Sequence, residues 1–120
     1  MTTIEMIKNV SKSEAHITTD LIEYSEQKVV SRTLAQNDHL TLTLFAFDAG
    51  EGISSHASTG DAMIQVLDGE ALITIGTEKF TVNSGEMIIM PANIPHAVDA
   101  VKPFKMLLTV VKPPVSRERN

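Results

Sequence analysis

The sequence predicts an antiparallel all-β fold, a closed barrel or jelly roll, preceded by a short irregular or helical N-terminal segment. From Lys28 onward, short apolar runs alternate with turn residues, which is the rhythm of antiparallel β proteins. Eight candidate strands follow one another too closely to leave room for a helical crossover between parallel strands. The chain therefore has to close its sheets through turns, as barrels and jelly rolls do.

The candidate strands are separated by turn residues rich in glycine, aspartate and asparagine. They cover residues 28–35, 40–47, 62–67, 71–75, 79–82, 86–90, 97–101 and 104–111. The dipeptide Asp68-Gly69 is the strongest hairpin signal, because both residues tolerate the positive φ of a type I′ turn. Several strands are apolar on both faces, whereas a lone barrel keeps one face of each strand polar. We therefore expect a second copy to cover the outer faces, giving a homodimer.

The chain is organised around one domain. Its 120 residues are enough to bury a core without disulfides or a structural metal. We divide it into an N-terminal extension (1–27), which joins the barrel or the dimer contact in part, a barrel (28–112) and a frayed tail (113–120). Ser11 and Glu14 have the spacing of a capping box, which predicts a short helix. An extra edge strand is expected after it.

Composition excludes several function classes. The chain has no cysteine, which removes thiolate catalysis and zinc-finger chemistry. Its net charge is −5 and its basic residues are scattered, so a nucleic-acid partner is not expected. There is neither an apolar run of membrane-span length nor a signal-peptide pattern at the start. These observations predict a cytoplasmic protein with no membrane partner.

Two glycine-spaced segments carry the functional signal. Five residues separate Gly50 from His56, and five separate Gly85 from Pro91, with His96 close behind. The first segment resembles the first cupin motif, which runs glycine, five residues, His-x-His, three or four residues, glutamate, six residues and glycine. The second resembles the second cupin motif, which runs glycine, five residues, Pro-x-Gly, two residues, histidine, three residues and asparagine.

This resemblance spans about residues 28–112 and implies a small, single-domain, RmlC-like cupin, a double-stranded β-helix. In that family the two motifs supply three histidines and a glutamate to one divalent metal. Carried over by position, the ligands are His56, Ser58, Ala62 and His96. Two of the four strong ligands are therefore replaced. Asn93 and Ala100 replace the glycine and the asparagine of the second motif, and asparagine tolerates the positive φ that glycine favours.

The resemblance leaves a degenerate metal site. His56 and His96 with water ligands form at most a weak site for iron, manganese, nickel or zinc, with Asp61 or Gln65 as a candidate third ligand. Asp61 lies one residue before the family's glutamate, so strand alternation aims it at the other face. A turn or cap role at the start of its strand is the preferred interpretation of Asp61. His16 and His39 are expected on the surface.

The pattern predicts a ligand pocket inside the barrel. By strand parity its lining residues are His56, Ser58, Ala62, Ile64, Val66, His96 and Val98. Such a pocket suits a small, partly apolar molecule with one polar or anionic group. The leading hypothesis is a small-molecule-binding protein with no assigned catalytic residue. The alternatives are a metal-dependent oxygenase or isomerase, and a non-catalytic structural or interaction barrel.

Overall fold

The computed structural model describes residues 5–114. The predicted frayed tail lies mostly outside this range. Within it, one short 3-10 helix (Thr18–Leu21) precedes nine strands. The strands are β1 (Val29–Gln36), β2 (Leu40–Phe47), β3 (Gly52–His56), β4 (Asp61–Asp68), β5 (Glu70–Ile75), β6 (Glu78–Asn83), β7 (Met87–Met90), β8 (His96–Asp99) and β9 (Phe104–Val111).

The strands form two antiparallel sheets, and the all-β prediction is confirmed. One sheet has the order β1-β2-β9-β4-β7 and the other the order β3-β8-β5-β6. From β2 onward the chain passes repeatedly from one sheet to the other, as in a double-stranded β-helix. Strand alternation gives each sheet an inner apolar face, and these faces form the main core. Its largest wholly buried side chains include Phe47, Ile64, Ile73, Phe104 and Met106.

The Asp68-Gly69 hairpin prediction is wrong. β4 pairs with β7 and β9, whereas β5 pairs with β6 and β8, so this dipeptide carries the chain between sheets. Only Gly69 has a positive φ, at 75°. A Cβ atom on Gly69 would lie 2.5 Å from the carbonyl oxygen of Pro103. The glycine is therefore required by a close crossing of two chain segments, not by a type I′ turn.

Strand β3 was not among the eight candidates. Its five residues, Gly52–His56, include a single large apolar side chain, Ile53, and most of the strand is exposed. It lies at the edge of the four-stranded sheet and pairs with β8 alone. Apolar alternation is the signal used to find the other strands, and a mostly exposed strand with one large apolar side chain does not show it.

The N-terminal segment differs from its prediction. Residues 5–27 contain the 3-10 helix at Thr18–Leu21 but no strand, and residues 12–14 are bends. Ser13 has φ of 65°, which interrupts a right-handed helix. The carbonyl oxygen of Ser11 lies 2.8 Å from Nε2 of His16. The predicted capping box is thus replaced by a compact loop closed by a histidine.

This segment packs on the outside of the five-stranded sheet. Val10, Leu21 and Ile22 join a second apolar cluster with outward residues of the barrel. The buried Lys105 side chain donates a hydrogen bond to the carbonyl oxygen of Thr19 (2.6 Å) and lies 4.8 Å from the centroid of the Tyr24 ring. Burial and a hydrogen bond to Asp68 raise the pKa of Tyr24 above its ordinary value. Part of the outer face is therefore covered by the chain itself.

The rest of that outer face is open. Met87 and Ile89 on β7 are 53% and 46% exposed, and Val111 on β9 is 58% exposed. β7 is also one of the two edge strands of its sheet. No helix among residues 5–114 is long and apolar enough to cross a membrane.

Candidate ligand cavity

A cavity of about 540 Å³ lies inside the barrel. Its wall is almost wholly apolar, with its polar side chains confined to β3, β8 and the loop after β3. The lining residues are Phe45, Ile53, His56, Ala57, Ser58, Thr59, Ala62, Ile64, Met90, His96, Val98, Met106, Leu108 and Val110. Stacked rings of Phe47 and Phe104, 4.6 Å apart, fill the barrel interior toward the far end of β4.

Two histidines meet at this cavity because β3 pairs with β8. His56 lies directly opposite His96 in the register, and the ring centroids are 4.6 Å apart in an edge-to-face arrangement. His96 is on an inner strand of the sheet and only 3% exposed, while His56 is on the edge strand and exposed. One ring is thus fixed in the wall and the other is reached by solvent.

A β-bulge in β3 sets the direction of His56. Ile53 opposes Val98 and His56 opposes His96, so three steps on β3 match two on β8. Without the extra residue, Ile53 and His56 would face opposite sides, because strand side chains alternate. With it, both line the cavity. Bulges commonly re-aim one side chain in this way.

Each imidazole is held by a carbonyl oxygen two residues earlier in the chain. Nδ1 of His56 donates to Ser54 O (3.1 Å), and Nδ1 of His96 donates to Ile94 O (3.2 Å). A carbonyl oxygen accepts but never donates, so the proton of each neutral ring stays on Nδ1. Nε2 is then the acceptor atom of both rings.

The Nε2 atom of His96 faces open space. Within the described residues, no wholly buried side-chain nitrogen or oxygen lacks a hydrogen-bond partner. Nε2 of His96 makes no hydrogen bond to the protein there, so it must retain access to a solvent-sized space. Since His96 lines the cavity, that space is the cavity. Burial, and then the positive charge that His56 can carry, lower the pKa of His96 below its ordinary 6.5, against the opposing effect of Ile94 O.

The loop after β3 is tied to the turn before β8. Asn93 N donates to Ser58 O (2.7 Å), and Ala92 N donates to Oδ1 of Asp61 (2.8 Å). Asn93 has φ of 66°, so it adopts the left-handed conformation that the glycine of the family motif would favour at this position. The hydroxyl oxygen of Ser58 accepts a hydrogen bond from Gly60 N. These contacts join the two glycine-spaced segments into one wall.

Comparison with known proteins identifies the family. A family profile described as "Cupin domain" matches residues 43–111, more than half of the chain. The chain belongs to the cupin family. A solved conserved protein of unknown function from Streptococcus pyogenes is 41% identical, with 95% of this chain and 100% of that chain covered and a TM-score of 0.91.

Two further relatives agree with this assignment to the cupins. A cupin superfamily protein from Desulfitobacterium hafniense DCB-2 is 33% identical, over 89% of this chain and 98% of that one, with a TM-score of 0.85. An uncharacterized protein from Streptomyces coelicolor is 31% identical over 65% of this chain and 74% of its own length. The family and fold follow from these matches, and a specific activity does not.

Six of the predicted pocket residues line this cupin cavity: His56, Ser58, Ala62, Ile64, His96 and Val98. Val66 instead lies in the buried core, toward the end of β4 where aromatic rings fill the interior. Phe45, Met90 and the β9 residues Met106, Leu108 and Val110 were not predicted. The β9 residues lie opposite Val66, Ile64 and Ala62 on β4. Their alternation was visible in the sequence, but the pairing of two strands so far apart in the chain was not.

The residues at the cupin ligand positions do not fit a firmly held metal. Ala62 has no donor atom, and the hydroxyl of Ser58 is a neutral, weak ligand already hydrogen bonded to Gly60 N. Asp61 binds a backbone amide, and neither Asp61 nor Gln65 lines the cavity. Among residues 5–114, no group of three or more His, Cys, Asp or Glu side chains is placed to hold a metal ion. Within the described part of the chain, the imidazoles of His56 and His96 are the only strong donors at this site.

Proposed function

We propose that this cupin binds a small organic molecule in its barrel cavity, with the two imidazoles as polar anchors and no tightly held metal. One observation carries the proposal: His56 and His96, with ring centroids 4.6 Å apart, line together with Ser58 and Thr59 a cavity of about 540 Å³ whose other described lining residues are apolar. A volume of that size is typical of small-molecule sites, which combine apolar walls with a few placed polar groups.

The architecture around the cavity supports this proposal over a purely structural barrel. A structural core is close-packed, and voids larger than a water molecule are few. Here the interior is filled at the Phe47 and Phe104 end and open at the histidine end. His96 also keeps an unused acceptor atom toward the open end. A barrel selected for packing alone has no need of either feature.

The donor set argues for weak metal binding. Two neutral imidazoles completed by water bind iron, manganese, nickel or zinc far less firmly than three imidazoles and a carboxylate. We therefore expect such an ion to exchange freely with the solution. The metal-dependent oxygenase or isomerase alternative requires a third protein ligand in the cavity.

A thermal-shift experiment tests the proposal. Wild type is screened against a library of small organic fragments, and hits are repeated on His56→Ala/His96→Ala. A ligand of the native state raises the melting temperature by mass action. We expect hits whose shift is lost in the cavity variant and kept in the control His16→Ala/His39→Ala, which removes two histidines outside the cavity. The proposal fails if no fragment raises the melting temperature of the control variant without also raising that of His56→Ala/His96→Ala.

Elemental analysis tests the metal part separately. Tag-free wild type should carry far less than one equivalent of any transition metal after dialysis. Near-stoichiometric metal that disappears in His56→Ala/His96→Ala would contradict weak binding and favour the enzyme alternative.

A further inference from the structure

We infer that the ligand of this cavity is a small, uncharged aromatic compound with a hydroxyl group, which donates its hydroxyl hydrogen to an imidazole Nε2. This inference deepens the proposed function and rests on it. It follows from which hydrogen-bonding atoms the cavity leaves unused, which charges its wall lacks, and what surrounds the open volume.

The two unused Nε2 acceptor atoms favour a ligand that carries a hydrogen-bond donor. Both Nδ1 protons are spent on Ser54 O and Ile94 O, so each neutral ring offers a lone pair at Nε2. The hydroxyl oxygen of Ser58 already accepts from Gly60 N, which leaves its hydrogen to donate. One hydroxyl group on the ligand can donate to one Nε2 atom and accept from Ser58, while the other Nε2 atom binds water.

The wall disfavours charged ligands. None of the described residues that line the cavity is a lysine, arginine, aspartate or glutamate. A carboxylate only accepts hydrogen bonds, so it would face the Nε2 lone pairs of the neutral imidazoles and could pair only with a protonated ring, a state that burial disfavours for His96. An ammonium ligand would likewise find no carboxylate. Burying an unpaired charge is strongly unfavourable.

The remaining surface suits an aromatic body. Phe45 and the thioethers of Met90 and Met106 lie among the lining residues, with aliphatic side chains around them. Methionine sulfur makes favourable contacts with aromatic rings, and its flexible chain adapts to their shape. The volume of about 540 Å³ leaves room for a molecule with one or two aromatic rings.

Three matched probes test the ligand class: phenol, anisole and benzoate, titrated by isothermal calorimetry or by ligand-observed NMR. Phenol has the hydroxyl donor, anisole has a similar ring without a donor, and benzoate is anionic. We expect phenol to bind about tenfold more tightly than anisole, the ratio typical of one buried hydrogen bond, and benzoate to bind least. In His96→Phe the preference for phenol over anisole should fall to about twofold or less, while His39→Phe, in an exposed turn, should keep it.

Two further measurements guard against a misfolded variant. His56→Phe alters the exposed edge strand rather than the core and should also reduce the preference. In wild type, phenol should shift the ¹⁵N resonance of the His96 Nε2 atom, whereas anisole should not.

The outcomes separate the inference from the proposed function. If anisole or benzoate binds as tightly as phenol, or if both histidine variants keep the preference, the ligand class is wrong and the cavity remains a small-molecule site. If none of the three probes binds wild type at millimolar concentration while the fragment screen yields cavity hits, the ligand class is again wrong. If neither the probes nor the fragments bind, both the ligand class and the proposed function are overturned.

Discussion

His56 and His96 face each other across β3 and β8 with ring centroids 4.6 Å apart, although they lie forty residues apart in the chain. The bulge in β3 turns His56 toward the interior, and the backbone carbonyl groups of Ser54 and Ile94 hold the two rings. The pair therefore has a defined geometry, and no third ionisable side chain of residues 5–114 lines the cavity beside it.

Restoring the two replaced ligands should create a firm metal site. In Ser58→His/Ala62→Glu, both new side chains start from positions that line the same cavity as the histidine pair. We expect near-stoichiometric zinc, nickel, manganese or iron by elemental analysis. Saturating metal should stabilise the variant by about 4 kcal/mol when its concentration is a thousand times the dissociation constant. Ser58→His/Ala62→Gln, which lacks the charge, is the control and should bind less; equal metal content in wild type and variant would contradict the argument.

Asp61 should act through its backbone hydrogen bond and not through a metal. Its Oδ1 accepts from Ala92 N at 2.8 Å, which ties β4 to the turn that carries Asn93. Asp61→Ala should lower the free energy of unfolding in urea by about 1 kcal/mol, while Asp61→Asn, which keeps an acceptor oxygen, should lose less. Metal content should be equal in all three proteins. An identical loss in the alanine and asparagine variants would show that the acceptor atom is not what matters.

His96 should titrate below its ordinary pKa of 6.5, because burial and the neighbouring His56 disfavour its charged form. A group whose pKa is lowered by folding contributes its full stability above the unfolded value. That contribution is lost as pH falls from 6.5 through the lowered pKa. NMR titration of the ring should show the lowered value, and His56→Gln should move it upward. His16→Gln, outside the cavity, should leave it unchanged; an unchanged value in His56→Gln would remove the charge of His56 as a cause.

Lys105 should anchor the N-terminal segment. Its buried ammonium group donates to Thr19 O and lies over the Tyr24 ring, so Lys105→Met keeps much of the packing but loses both contacts. We expect faster amide hydrogen exchange across residues 8–24 and a loss of about 1–3 kcal/mol in the free energy of unfolding. Lys102→Met, at an exposed position, is the control. If amide hydrogen exchange is unchanged in Lys105→Met, the apolar contacts of Val10, Leu21 and Ile22 are enough to hold the N-terminal segment in place.

The homodimer remains a prediction, and we expect it to form through the exposed outer residues of β7. The N-terminal segment covers part of the outer face of the five-stranded sheet, and Met87 and Ile89 stay exposed on its edge strand. Light scattering should report a dimer for wild type and a monomer for Ile89→Glu, because a buried charge without a partner is costly at an interface. Phe80→Glu, at a similarly exposed position of the other sheet, should remain dimeric. A wild-type monomer at high protein concentration would end this prediction.

The fold class and the positions of most strands were predictable from the sequence, and six of the predicted pocket residues line one cavity. Strands with regular apolar alternation, such as β2 and β9, were found with their full bounds, because burial of one face dictates every second residue. The glycine and proline spacing around His56 and His96 indicated the site, because the local backbone conformation determines where glycine and proline are needed. The replacement of the family's metal ligands by Ser58 and Ala62 could also be seen in the sequence.

Which strands pair, and therefore which side chains share the cavity, was not predictable from the sequence and is seen in the three-dimensional structure. β3 was not predicted because Ile53 is its one large apolar residue, and Asp68-Gly69 carried a hairpin signal although it links two sheets. The opposition of β4 and β9 brought Leu108 and Val110 to the cavity wall, and the bulge in β3 set the direction of His56. Pairing and bulges depend on long-range hydrogen bonds between backbones, which all residues share, so residue identity alone does not specify them.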